Sequence, residues 1–238
     1  MPSTAEALRA AAAVGPYFTW QPWSAGGGWR PIAELADPAT VTELVEPARR
    51  SLGDVRPRVA ASVTFLGAAA RLVSPPLAAL VVGGVLPSAR LWWRRAGGSG
   101  WQIGYDDPAP ADGPLTAVLD GLVTPVLAAF RDRYAVSPRV LWGNVASAVA
   151  GAAGLLADLR PAYAGPAGEA AAEVLGRPPL AGTGTLVRPD PGSARRFLIR
   201  RSCCLYYRVP GGGLCGDCIL TPEPDRRRQW AAALRRAG

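Results

Sequence analysis

The sequence predicts an α+β fold: a mostly helical domain with a small antiparallel β element and a C-terminal cysteine-rich segment. Three observations lead there. Apolar residues recur at helical spacing through most of residues 4–175, the period shortens around Trp92, Trp93 and Trp101, and every cysteine falls in a basic stretch near the C-terminus. At 238 residues the chain suits one large domain or one domain with an appendage, and 49% hydrophobic against 18% charged residues excludes intrinsic disorder.

The elements follow in order. Residues 4–13 read as an alanine-rich helix, and Pro16 to Pro31 as an aromatic, glycine-rich loop holding Trp20, Trp23 and Trp29. Asp37-Pro38 starts a second helix, with Asp as N-cap and Pro as first residue, running to about Ser51. Val59, Val63, Leu66, Ala70 and Val73 form a helical stripe that Pro75-Pro76 should stop, with another helix following to about Val85. Ser88–Arg95 and Trp101–Tyr105, separated by a glycine-rich stretch, read as a β-hairpin whose tryptophans form a hydrophobic core behind it. Helical patterning returns from Pro114 to Tyr134, from Pro138 to about Leu159 behind Ser137 as N-cap, and more weakly from Gly168 to Leu175. Gly182–Val187 and Phe197–Tyr207 alternate as strands, and Asp225–Arg236 reads as a short basic helix. The organisation expected is a helical body, 1–182, with the hairpin near 88–105, and a C-terminal segment, 183–238, packed on it.

Composition excludes much chemistry. The chain has no histidine and no lysine, so there is no Ser/His/Asp triad, no His-ligated metal, no P-loop lysine and no Schiff base. Gly182-Thr183-Gly184 lacks the third glycine and the strand–helix setting of a dinucleotide loop, leaving no NAD(P)H or flavin site. The uncharged runs Leu72–Ala89 and Val140–Ala157 are broken by Pro and Gly or built of small residues, and read as buried helices more than membrane spans. The N-terminus shows no export signal, so a cytoplasmic location is expected, with at most peripheral membrane association.

The net charge is +8, and residues 195–238 carry +7 of it through ten arginines against Asp217, Glu223 and Asp225. Cys203, Cys204, Cys215 and Cys218 sit in the same stretch, spaced C-C-x10-C-x2-C. Four thiolates can complete a tetrahedral Zn²⁺ site or a [2Fe–2S] cluster. Zinc ribbons present two C-x2-C knuckles and this chain has one, so the spacing argues against structural zinc. Adjacent residues on a strand point to opposite faces, so Cys203 and Cys204 can both ligate only where the backbone bends. Pro210-Gly211-Gly212-Gly213 would let the chain return, and Gly216 would let amides approach the sulfurs.

On these cysteines the sequence resembles the ferric siderophore reductases of the FhuF type, whose C-terminus carries this arrangement around a [2Fe–2S] cluster. The looser similarities are a helical body of like length, an Arg-Pro-rich helix start near Arg58, and Trp142-x-Asn144. The resemblance implies that Cys203, Cys204, Cys215 and Cys218 hold the cluster and that the protein reduces siderophore-bound Fe³⁺ by one electron, releasing Fe²⁺ in the cytoplasm. No catalytic residue beyond the cluster is implied. Arg200, Arg201, Arg208, Tyr206 and Tyr207 flank the ligands as candidates for tuning the cluster or contacting partners, whereas Arg226 to Arg228, Arg235 and Arg236 read as a solvated helix face. Fixed positive charge should raise the potential above the roughly −400 mV of plant-type ferredoxins. The partners expected are a ferric siderophore and an acidic ferredoxin or flavodoxin-type donor, with no nucleic acid. A zinc-stabilised, nucleic-acid-binding module and an iron–sulfur sensor are the competing readings.

Overall fold

The computed structural model describes residues 2–97 and 100–237. Helix α1 (Thr4–Val14) begins on a capping box in which the Ser3 side chain and Glu6 serve each other's backbone N–H groups. The aromatic loop contributes two minimal strands, β1 (Gln21–Pro22) and β2 (Arg30–Pro31), before α2 (Pro38–Ser51). Asp37 occupies the N-cap of α2 as expected, but its side chain makes no capping hydrogen bond there, and Pro38 supplies the start.

The main departure from the sequence reading is α3, a single helix over Pro57–Gly83 that runs straight through Pro75-Pro76. A proline within a helix removes one N–H and orphans the carbonyl four residues back, at a cost of about 3 kcal/mol or more. Here the orphan for Pro75 is the Arg71 carbonyl, and the indole N–H of Trp20 donates to it at 2.9 Å. Ser74, Pro75, Pro76 and Leu77 are all buried, so apolar packing on both sides keeps the segment helical.

Strands β3 (Pro87–Arg95) and β4 (Trp101–Pro110) form the expected hairpin, longer at its open end than the pattern indicated. Part of its turn, Gly98-Ser99, lies outside the described residues. The sheet order is β1-β4-β3-β2, with β1 parallel to β4 and the other pairs antiparallel. Trp93 and Trp101 lie in the core as expected, while the half-buried Trp92 stacks on Trp23 at 5.1 Å.

Helices α4 (Leu115–Tyr134), α5 (Pro138–Leu159) and α6 (Ala164–Leu175) follow. Two helices, α3 and α5, are long and apolar enough to cross a membrane by length and composition, and their most apolar windows are 61% and 72% buried within the fold. They pack against each other at its centre. The C-terminal segment has a two-stranded antiparallel sheet, β5 (Gly184–Val187) with β6 (Phe197–Arg200), and a last helix, α7 (Glu223–Ala237). Beyond Arg200 the expected strand stops, because from Ser202 onward the backbone bends away and its hydrogen bonds go to side chains and turns instead of a ladder.

Candidate metal centre

The cysteine segment leaves β6 and lies on α5 because α5 is notched to receive it. A side chain at Gly143 would sit 2.9 Å from the Arg200 Nη2 atom and run into the Ser202 hydroxyl, so only glycine lets β6 approach this closely. One helical stretch further along, Gly154 makes the same room for the Arg195 guanidinium, whose Nε pairs with Asp158 at 2.8 Å.

Arg200 is 1% exposed. Its Nε donates to the Ser202 carbonyl at 3.0 Å, Nη1 to the Ser147 hydroxyl at 2.9 Å, and Nη2 to Asn144 Oδ1 at 2.7 Å. Ser147 in turn donates to the Asp217 carboxylate, between Cys215 and Cys218. Asn144 donates to the Ser62 carbonyl on α3, and Ser62 donates to the Cys204 carbonyl at 2.8 Å. One buried network therefore joins α3, α5, β6 and both halves of the cysteine motif. Its members satisfy one another, as a buried cation requires.

Such burial removes Arg200 from the direct partner contacts expected of it and makes it the anchor of the loop. Arg201 is exposed, its backbone carbonyl accepting from Arg139 at 3.0 Å. Arg208 is also exposed, donating to the Tyr207 hydroxyl at 2.9 Å and lying over that ring. Tyr207 is exposed, whereas Tyr206 packs partly on the core.

Cys204 and Cys218 are buried, Cys203 and Cys215 half-buried, and all four are free. The bend that the vicinal pair needs comes at Leu205, a non-glycine residue at φ 69°. It brings the Leu205 amide to 3.3 Å from the Cys203 sulfur, and the Leu220 amide lies 3.4 Å from that of Cys218. Each pair thus has an amide two residues on that donates to its sulfur, the arrangement that stabilises thiolate ligands. These amides belong to Leu205 and Leu220, so the amide approach to sulfur expected of Gly216 is made by residues that follow Cys203 and Cys218. The glycine loop does turn the chain back as expected, with Gly211 and Gly213 both at positive φ.

Cys204 Sγ and Cys215 Sγ approach to 3.5 Å. Their shared hydrogen bond, helped by the Tyr206 amide and the Arg200 charge, lowers Cys204 to about 6, while the same contact and burial raise Cys215. Burial raises Cys203. Among the described residues no three Cys, Asp or Glu side chains gather around a point that could hold one ion.

Residues 200–218 match the FhuF 2Fe-2S C-terminal domain. The cofactor is therefore a [2Fe–2S] cluster, and the FhuF resemblance of the cysteine spacing holds across the segment from Arg200 to Cys218. No curated protein sequence is significantly similar to the chain. The FhuF-type segment begins at the anchoring arginine, so the stretch that matches is also the stretch that α5 grips.

One arginine read as solvated does something else. Arg226, on α7, donates through Nη2 to the carbonyls of Cys218 at 3.2 Å and Thr221 at 2.8 Å, closing the loop from the other side. Its neighbours Arg227 and Arg228 are exposed and pair with Glu223 and Asp225 on the same helix, as a solvated face should. Ser62, Gly143 and Ser147 are not singled out by pattern, and Arg226 is read there as part of a solvated face. The available signal was the cluster of small and polar residues interrupting the apolar face of α5 at Gly143, Asn144 and Ser147.

Proposed function

We propose that the protein is a ferric siderophore reductase: it passes one electron to Fe³⁺ held in a siderophore and releases Fe²⁺ in the cytoplasm. The observation that carries the reading is the FhuF-type segment, with all four cysteines of the chain on it. In this proposal Cys203, Cys204, Cys215 and Cys218 are the ligands. When bound, a [2Fe–2S] cluster supplies a one-electron couple, matching the single electron that separates Fe³⁺ from Fe²⁺.

The chain's own residues do the rest. Arg200 places a fixed, dry positive charge beneath the ligand loop, which favours added negative charge there, and the Leu205 and Leu220 amides act in the same direction. Asn144, Ser147 and Ser62 hold that charge in place, so little reorganisation accompanies a change in the loop's charge. Hard oxygen donors bind Fe³⁺ far better than Fe²⁺, so reduction alone loosens the chelate and no siderophore bond needs cutting.

The electron source in this reading is an acidic ferredoxin or flavodoxin-type protein. Support comes from the surface around the loop, where Tyr207, Leu214, Ile219 and Leu220 are exposed apolar residues close in sequence to Arg201 and Arg208. The test is anaerobic: chemically reduced protein is mixed with a ferric siderophore and Fe²⁺ is trapped by a ferrous-selective chromogenic chelator. About one Fe²⁺ per electron held by the protein is expected, and no Fe²⁺ above the protein-free control would overturn the reading.

A further inference from the structure

A cavity of about 580 Å³ opens between α3, β4 and the aromatic loop that follows α1. Small-molecule sites occupy about 300–1,000 Å³. No residue of the segment from Arg200 to Cys218 lines it among the described residues. Tyr17, Gly67 and Ala70 are the wall it shares with a cavity of about 790 Å³ that reaches Gly216 and Asp217, so a molecule in the smaller cavity is kept off the cysteine loop.

The smaller cavity carries a charge that nothing around it neutralises. Arg71 lines it, and among the described residues no Asp or Glu does. The Arg71 Nε donates to the Trp101 carbonyl at 3.0 Å and Nη1 to the Gly67 carbonyl at 2.9 Å, which ties the guanidinium to both β4 and α3. Among the described residues Nη2 makes no hydrogen bond and the side chain makes no ion pair. Arg71 is exposed, as a charge that meets a ligand must be, yet partial burial still lowers it from the ordinary arginine value, and no carboxylate offsets that. A fixed, partly desolvated cation without a counter-charge is costly until an anion joins it. The guanidinium lies over the Trp101 ring, 5.1 Å from its centroid, and the indole of Trp20 is held in place by its bond to the Arg71 carbonyl. One cation calls for one negative charge, its open guanidinium edge fits a carboxylate, and the two indoles offer flat walls to an aryl body.

We propose that this cavity binds a metal-free aromatic monocarboxylate, with the carboxylate on Arg71 and the ring against Trp20 and Trp101. The site goes beyond the reductase reading and does not depend on it. Its occupant carries no iron and undergoes no reaction there.

The probe is 2-naphthoate, titrated by calorimetry into the cluster-loaded protein while the visible spectrum is recorded. Saturable one-to-one binding with an unchanged spectrum is expected, at least about tenfold tighter than that of 2-naphthamide, which keeps the ring and lacks the charge. Arg71→Gln should weaken naphthoate about tenfold or more and leave naphthamide within about twofold, bringing the two ligands level. Arg71 also ties α3 to β4, so a second variant leaves that tie intact: Thr19→Phe, which fills the cavity from the loop, should abolish naphthoate binding while the far-ultraviolet spectrum stays that of the wild type. Absence of saturable binding, equal affinity for the amide, or unchanged naphthoate affinity in either variant would overturn the proposal. So would naphthoate binding that shifts the visible spectrum, because the probe would then lie against the cysteine loop. None of these readouts involves electron transfer, so the site and the reductase reading stand or fall separately.

Discussion

Replacing Arg200 by methionine should loosen the cysteine loop before it unfolds the body. Three donor contacts of 3.0 Å or less leave this side chain, to Ser202, Ser147 and Asn144, and only 1% of it is exposed. Hydrogen bonds to a charged group contribute about 1.5–3 kcal/mol each but do not add when they share one group. Removing one member of a buried charged network costs about 3–5 kcal/mol, because its partners stay buried and unmatched. Methionine fills similar volume, so the cavity contribution is small and the loss falls on the polar groups left behind. For a chain of this size that corresponds to a fall in Tm of roughly 6–20 °C, at about 2–4 °C per kcal/mol. All the orphaned groups touch the loop or α5, so bleaching of the visible cluster spectrum should precede loss of far-ultraviolet helix signal in a thermal scan. Arg200→Lys keeps the charge without the fork and should fall between the two. An Arg200→Met protein within about 1 kcal/mol of wild type, bleaching and melting together as before, would refute the anchoring argument.

Each of Cys203→Ser, Cys204→Ser, Cys215→Ser and Cys218→Ser should lose the native spectrum and the two iron and two sulfide ions that define the cluster, since the chain has no further cysteine and no histidine to substitute; metal and labile-sulfide analysis decides it, and one variant with an unchanged spectrum would mean the ligand set is wrong. Arg226→Ala should destabilise the protein by about 1–3 kcal/mol in urea titration, through the Cys218 and Thr221 carbonyls, while Arg227→Ala stays within about 0.5 kcal/mol. Neutralising Arg201 or Arg208 should lower the cluster potential by about tens of millivolts and weaken an acidic donor in a salt-dependent way, with Arg235→Gln doing less; equal shifts in protein-film voltammetry would remove any electronic role for the charge near the cysteines. Trp20→Phe should cost about 1–3 kcal/mol by orphaning the Arg71 carbonyl, and a neutral result would show that α3 does not need that donor to pass Pro75.

Much of the framework was legible in the linear pattern. Helices α1, α2, α4 and α5 start or end within a residue or so of where periodicity, Pro at the first position and loop composition place them, and the hairpin lies where the tryptophans alternate. Those features are local, since a helical stripe or a Pro at a helix start is written within one or two turns of chain. The cysteines and the cofactor are legible for the same reason, because the whole motif lies within one short segment.

What pattern could not reach depends on residues far apart in the chain. Pro75-Pro76 reads as a helix stop until Trp20, 51 positions from Arg71, supplies the missing donor. Arg200 reads as a surface charge beside the cysteines until Asn144 and Ser147, 56 and 53 positions away, take it into the interior, and Ser62 meets the Cys204 carbonyl across 142 positions. Arginine carries the same charge whether solvated or buried, so composition cannot separate Arg200 and Arg226, which hold the loop, from Arg227 and Arg228, which face water. The difference arises because burying a cation is favourable only where several acceptors converge on it, and that convergence exists only once α3, α5 and β6 are packed together.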